Sequence, residues 1–166
     1  MTVTGFSHLS VQVRDIDRVL PFYQDLLGLA VSIDREHSFS APDRDGTRID
    51  FHRREVYLRW ENKWGASYIA LGQHVGRTQD GTATPLQGIG FDHVAFLVAD
   101  VDAVVLKAKE MGVEIITGPK NNDGPANAHP GDATVRTALF YDPEGNVVQI
   151  DQWLGTDPSN SNQETS

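Results

Sequence analysis

An α+β fold is predicted, made of two tandem βαβββ modules forming an eight-stranded open cup-like sheet with helices on its outer face. Three observations predict it. The first is an internal repeat: the segment from Gly5 through His8 to Asp15 recurs from Gly90 through His93 to Asp100, at an offset of 85 (93 − 8). The match continues from Ile16 to Val101, Asp17 to Asp102, Val19 to Val104, Leu20 to Val105 and Asp25 to Glu110. The second is the order of periodicities in each copy, a period of two on either side of one helical stretch. The third is length. At 166 residues the chain can bury a sizeable single core, and a repeat of this span is too long for a solenoid turn.

In the first module, Leu9, Val11 and Val13 alternate with His8, Ser10 and Gln12, the pattern of a half-buried strand whose polar set carries the histidine. Asp15 is placed to cap the helix that follows. Ile16, Val19, Leu20, Tyr23, Leu26 and Leu27 form its apolar stripe, and Gly28 stops it. Pro21 either kinks this helix or marks its first turn. Strands are predicted at Leu29–Asp34, Thr47–Arg53, Glu55–Trp60 and Ser67–His74, with hairpin chemistry in Asp43-Arg44-Asp45-Gly46. The module is assigned residues 1–75, and the Gly-, Thr- and Gln-rich stretch 76–89 is read as a linker.

The second module, 90–154, repeats the order. It has a strand at Phe91–Val98, a helix at Val101–Met111 stopped by Gly112, and strands at Val113–Thr117, Thr134–Tyr141 and Asn146–Trp153. The turn Asp142-Pro143-Glu144-Gly145-Asn146 joins the last two, and residues 118–132 read as a long loop. The polar stretch 155–166 is expected to be a disordered tail.

The formal charge of −9 opposes binding to nucleic acid or to an anionic membrane surface. Half of the 14 Lys and Arg residues lie between Arg35 and Lys63, but equal numbers of Asp and Glu accompany them, so no basic patch is read. The absence of Cys excludes disulfides, thiol nucleophiles and thiolate metal sites. The first residues lack a basic and then apolar leader, and no apolar run approaches the roughly 20 residues of a membrane helix. A cytoplasmic protein is expected.

The stretches His8–Asp15, Pro21–Leu29, His93–Val98 and Tyr141–Ile150 resemble the vicinal oxygen chelate superfamily: glyoxalase I, extradiol dioxygenases, methylmalonyl-CoA epimerase, and the fosfomycin and bleomycin resistance proteins. The resemblance covers nearly all of residues 6–153. It implies a homodimer and a divalent metal held by first-strand histidines and last-strand carboxylates. His8 and His93 stand at such positions, while Gln149 replaces the usual Glu and Ala70 falls at the other carboxylate position. An amide has no basic lone pair near neutral pH, so standard glyoxalase I activity is not expected. An extradiol iron site needs a carboxylate that only Asp151 offers, about 6–7 Å further along the strand.

The expected function is a metal-dependent lyase, isomerase or dioxygenase acting on a small aromatic or oxygenated molecule. His8, His93 and Gln149 would hold Zn, Fe, Ni, Co or Mn, polarising a substrate oxygen. Tyr57, Tyr68 and loop residue His129 are the catalytic candidates, and Trp60, His74 and Asp151 the substrate contacts. Each has a plainer reading: a structural histidine, a solvated loop, or a strand-end surface. The aromatic set Phe39, Phe51, Tyr57, Trp60, Trp64 and Tyr68 supports an alternative, a metal-free protein that sequesters a flat molecule between rings. A metal-free isomerase or cyclase is the third reading.

Overall fold

The computed structural model describes residues 2–61, 63, 65–128 and 133–155. The chain divides into two compact units between Thr82 and Ala83, inside the predicted linker. Each unit is a four-stranded sheet in the predicted βαβββ order. The first contains β1 (His8–Gln12), α1 (Ile16–Pro21), β2 (Ala30–Pro42), β3 (Arg48–Arg59) and β4 (Tyr68–His74), with sheet order β1-β4-β3-β2. The second contains β5 (Val94–Leu97), α2 (Val101–Glu110), β6 (Ile115–Asp123), β7 (Thr134–Tyr141) and β8 (Val147–Trp153), with order β5-β8-β7-β6. In both, the first strand runs parallel to the last and the other pairs are antiparallel. No helix among the described residues is long and apolar enough to cross a membrane.

The duplication extends to single hydrogen bonds. Asp15 accepts from Asp17 N and Arg18 N, and Asp100 accepts from Ala103 N. The first helical amide of each unit donates to a last-strand glutamine: Ile16 N to Gln73 Oε1 at 2.9 Å, and Val101 N to Gln152 Oε1 at 3.0 Å. An arginine ties helix to sheet in each: Arg54 bridges Asp17 and Asp34, and Arg136 bridges Asp102 and Asn121. Beneath these lie the two cores, Ile16, Val19, Tyr23, Val56, Leu58, Ile69 and Leu71 in one, Val101, Val105, Ala138, Phe140, Val148 and Ile150 in the other.

The boundaries differ from those predicted where hydropathy carries no period. Pro21 lacks the N–H that would continue the α-ladder, and the chain answers with a π-helical turn at Phe22–Leu26, in which Leu27 N reaches Phe22 O. That turn buries Phe22, which lay outside the predicted stripe. The predicted strands Thr47–Arg53 and Glu55–Trp60 are one strand, β3, and its partner β2 runs on to Pro42. Residues 35–42 are mostly polar and exposed, so no alternation marked them. Much of the predicted loop 118–132 is edge strand β6 plus a short 3-10 turn at Pro125–Asn127. His129 and Trp64 lie outside the described residues, as does the predicted tail beyond Gly155.

Candidate functional site

Because β3 is continuous, its parity sorts the charges that look balanced in sequence. Val56 and Leu58 are fully buried against the helix side, and Arg54 reaches α1 from the same face. Phe51, Arg53, Glu55, Tyr57 and Arg59 therefore share the opposite, open face. The ladder sets Arg35, His37 and Phe39 of β2 beside them, with Tyr68, Ala70, Gly72 and His74 of β4 on the other flank. β1 adds His8, opposite Tyr68. Arg35, Arg53 and Arg59 on this face meet a single carboxylate, Glu55, so the acidic and basic residues that are equal in number along the sequence are not equal on this face.

The rings fall into two groups. His8 stacks on Tyr68 at 4.8 Å between centroids, Tyr57 tilts against Tyr68 at 5.2 Å, and Arg59 lies 4.7 Å above the Tyr68 ring. Further along the hairpin, His37, Phe39, Phe51 and His74 form a run of stacked neighbours 5.1–5.6 Å apart. Arg53 covers both phenylalanines. Between the groups β4 presents Ala70 and Gly72, the second of them covered by the Gln12 side chain from β1.

Glu55 sits at the centre of this face. Its Oε2 accepts from Tyr57 Oη and from His37 Nε2, each at 2.8 Å, while Arg35 donates to Tyr57 Oη at 3.1 Å. Burial pushes the Glu55 carboxyl up, but the bonds from Tyr57 and His37 and the charges of His37 and Arg35 outweigh it, so the group titrates below its ordinary 4.5. Burial and the Glu55 carboxylate hold the Tyr57 phenol above its ordinary range, with Arg35 opposing. Tyr57 therefore keeps its proton at neutral pH and donates a hydrogen bond to Glu55. A carboxyl depressed on folding stabilises the fold above its unfolded pKa, and that contribution fades as pH falls through the lower folded value. Glu55→Gln should thus cost about 1–3 kcal/mol at pH 7 and progressively less below pH 4.5. Thermal melts of both proteins from pH 7 to pH 3 check this; a pH-independent gap would refute it.

The second unit's open face differs. Asp151, 9% exposed, accepts from Thr137 Oγ1 at 2.8 Å and from Gln149 Nε2 at 3.0 and 2.9 Å through its two oxygens. Gln149 is thereby held with its carbonyl oxygen as its remaining acceptor. His93 lies one residue before β5 and donates from Nδ1 to Asp92 at 2.8 Å; His8 Nδ1 is 3.1 Å from Ser7 Oγ. Both histidines thus engage Nδ1 with the preceding residue. Trp60 is 47% exposed just past the end of β3, and His74 ends β4, stacked on Phe51. The structure brings His8, Tyr57 and Tyr68 together in the first unit, and Gln149 and Asp151 together in the second.

Sequence reading passed over Glu55, His37, Arg35, Arg53, Arg59 and Arg77. Odd parity from 51 to 59 was the signal for three of the six, Arg53, Glu55 and Arg59, hidden by the supposed break at Arg54.

This architecture, a strand–helix–three-strand unit used twice, defines the class. The chain belongs to the Glyoxalase/Bleomycin resistance protein/Dioxygenase superfamily, whose family model matches residues 5–150, and so to the vicinal oxygen chelate group. Among solved structures it is similar to a glyoxalase family protein from Bacillus cereus, at 16% identity and TM-score 0.68, covering 93% of this chain and 97% of that one. It is also similar to TnmS3, an antibiotic-binding protein from Streptomyces sp. CB03234 (24% identity, TM-score 0.56, 92% and 98% covered). A third likeness is the fosfomycin resistance protein FosX of Listeria monocytogenes, complexed with Mn(II) and sulfate (18% identity, TM-score 0.54, 91% and 93% covered). At these identities the likenesses speak for the fold.

The residues present fit a divalent metal poorly. The matched glutamine bonds align β4 with β8 at an offset of 79 (152 − 73), which pairs Ala70 with Gln149 and Gly72 with Asp151. The first unit thus offers an imidazole and a methyl group, the second an imidazole and an amide whose neighbouring carboxylate is already satisfied. Within neither unit do three His, Asp or Glu side chains among the described residues gather as a metal-holding group.

Proposed function

We propose that this protein binds a flat, oxygen-bearing organic molecule on the open face of its first sheet and needs no metal to do so. The single observation behind this reading is the convergence of two ring groups, roofed by arginines, on either side of the small residues Ala70 and Gly72. Rings of this kind hold planar ligands by stacking, worth about 0.5–1.5 kcal/mol per contact beyond buried area. The antibiotic-binding TnmS3 supports it as a protein of the same fold with a binding role. Any acid–base turnover on this face would have the Tyr57 phenol give a proton to one ligand atom and the Glu55 carboxylate take a proton from another, with Tyr57 regaining its proton from water. Homodimerisation and cytoplasmic residence belong to the same proposal and rest on the resemblance and the sequence.

A second reading is the metal-dependent lyase, isomerase or dioxygenase, with His8, His93 and Gln149 as ligands to Zn, Fe, Ni, Co or Mn. It is favoured by the matched histidines, each of which engages Nδ1 with the preceding residue and leaves Nε2 out of that bond. One titration separates the two. EDTA-treated protein should bind 2-naphthol, with tyrosine and tryptophan fluorescence as the readout, and Tyr57→Ala and Tyr68→Ala should each weaken binding about three- to tenfold. Binding that appears only on adding metal, and vanishes in His8→Ala or His93→Ala, would transfer the case to the metalloenzyme. No binding under either condition would overturn capture of a flat molecule.

A further inference from the structure

We infer that the far end of this face, where Phe51, Arg53, His74 and Arg77 meet, is an oxyanion subsite that takes the carboxylate or phosphate of the ligand. Two guanidiniums lie against one ring: Arg53 is 4.8 Å and Arg77 5.6 Å from the Phe51 centroid. Three neighbouring arginines have acidic or carbonyl partners. Arg54 has Asp17 and Asp34, Arg35 has Glu55, and Arg59 donates to Ala66 O and Ser32 Oγ. Among the described residues Arg53 and Arg77 have no ion pair, and the nearest carboxylate along β3, Glu55, is committed to His37 and Tyr57.

The surroundings make these cations costly as they stand. Arg53 Nε is shut from water with no acceptor, so part of its charge is desolvated without compensation. Arg77 donates to His74 Nε2 at 3.1 Å. Burial, then the charges of Arg77 and Arg53, hold His74 below its ordinary range, the direction expected where positive potential is unrelieved. Beside them opens a cavity of about 450 Å³ lined by Arg14, Gln73, His74, Arg77, Thr78 and Gln79 together with Gly76, and no acidic residue lines it. The buried Gln79 Oε1 also lacks a donor there. Of the two guanidiniums only Arg77 lines this cavity; an anion held at its mouth beside Phe51, the ring both approach, would meet the two, whose planar forks match the two oxygens of a carboxylate or phosphate.

Along β3 the four-residue step from Arg53 to Tyr57 spans about 13 Å. That suits an aryl acid with its oxyanion at Arg53 and Arg77 and its rings reaching toward Ala70 and Tyr57, past the Gln12 side chain that covers Gly72. The inference deepens the flat-ligand reading, and an aryl acid is the ligand class it names.

The test compares 2-naphthoate with neutral 2-naphthol on the full chain. The acid should bind at least tenfold more tightly. Arg53→Ala and Arg77→Ala should each bring that ratio close to one and preserve the circular dichroism spectrum, and Arg77→Ala, which lies outside the ring groups, should leave 2-naphthol affinity within about twofold. Arg53→Lys, which keeps the charge but not the fork, should fall between. Inorganic phosphate should displace the acid and not the alcohol. Equal affinity for both probes in the parent protein, or a ratio that survives both alanine variants, would overturn the subsite. Should neither aromatic probe bind, phosphate alone decides: shifts of the His74 ring signals in NMR, absent in both arginine variants, sustain the subsite while the flat-ligand reading falls. Silence there ends both.

Discussion

Gly118→Ala is expected to cost the second unit about 3 kcal/mol or more, seen as a lower urea midpoint at unchanged slope. Gly118 has a φ of +102°, a region closed to residues with a Cβ at a cost of about 1–3 kcal/mol. The space is closed as well. A Cβ there would lie 2.6 Å from Thr137 O, 2.7 Å from Ala138 Cα and 2.8 Å from Ala138 Cβ. These are atoms of β7, an interior strand, and Ala138 is fully buried, so relief requires moving the β6–β7 pair. Forced backbone shifts in a packed core add about 1–3 kcal/mol. Thr137 also bonds Asp151, so the same shift should loosen the polar cluster that orients Gln149.

Gly72→Ala is the control. Its added Cβ would come 2.6 Å from Gln12 Nε2, the far end of a flexible side chain, and no unusual φ is involved. Gly72 is buried as well, but only a side-chain end has to move aside, so the cost should stay at about 1 kcal/mol. If Gly118→Ala matched it, the steric account of β6 would be wrong.

How much of this was legible from the amino acids depended on whether a physical period marked them. The helices were, because Ile16, Val19 and Tyr23 in the first unit, and Val101 and Val105 in the second, bury on one side of helices that begin at aspartate caps. The turn Asp142–Asn146 and the Asp43–Gly46 hairpin were, because their residues meet specific backbone requirements; Gly46 and Gly145 both have positive φ. The histidine pair was visible as a repeat, yet the repeat marks common descent of two units and does not decide ligation. What stayed hidden was the upper half of the β2–β3 hairpin. There both faces are polar or aromatic, so hydropathy could not tell the open face from the other. Only pairing across strands shows that Arg53 stands over Phe39 and Phe51 while Arg54, its neighbour, serves the helix. The two units keep their internal scaffolding bonds and diverge on their open faces, rings and arginines in one, a satisfied Thr137–Asp151–Gln149 cluster in the other. Function should be sought where they diverge.

Asp142→Ala should be the most damaging change among the turns, at about 3 kcal/mol. Asp142 is 3% exposed, and its carboxylate accepts from Glu144 N and Asn146 N, each at 2.9 Å, and from Asn146 Nδ2 at 3.0 Å. Bonds to a charged acceptor are worth about 1.5–3 kcal/mol, and backbone N–H groups left buried without an acceptor add to the loss. Asp142→Asn separates charge from geometry. Its remaining side-chain oxygen can still accept both backbone amides, and Asn146 can turn its own amide to meet the new NH2, so the cost should stay near 1 kcal/mol. The consequence reaches β8, which begins at Val147 directly after the turn. Amide exchange at Val148 and Ile150 should therefore quicken in Asp142→Ala more than in Asp142→Asn, with β1–β4 unchanged. Equal losses in the two variants would show that this turn depends on carboxylate charge rather than on the count of accepted bonds. An alanine variant within 1 kcal/mol of the parent would mean that water replaces the carboxylate, and that the turn is not what holds Gln149 and Asp151 in register.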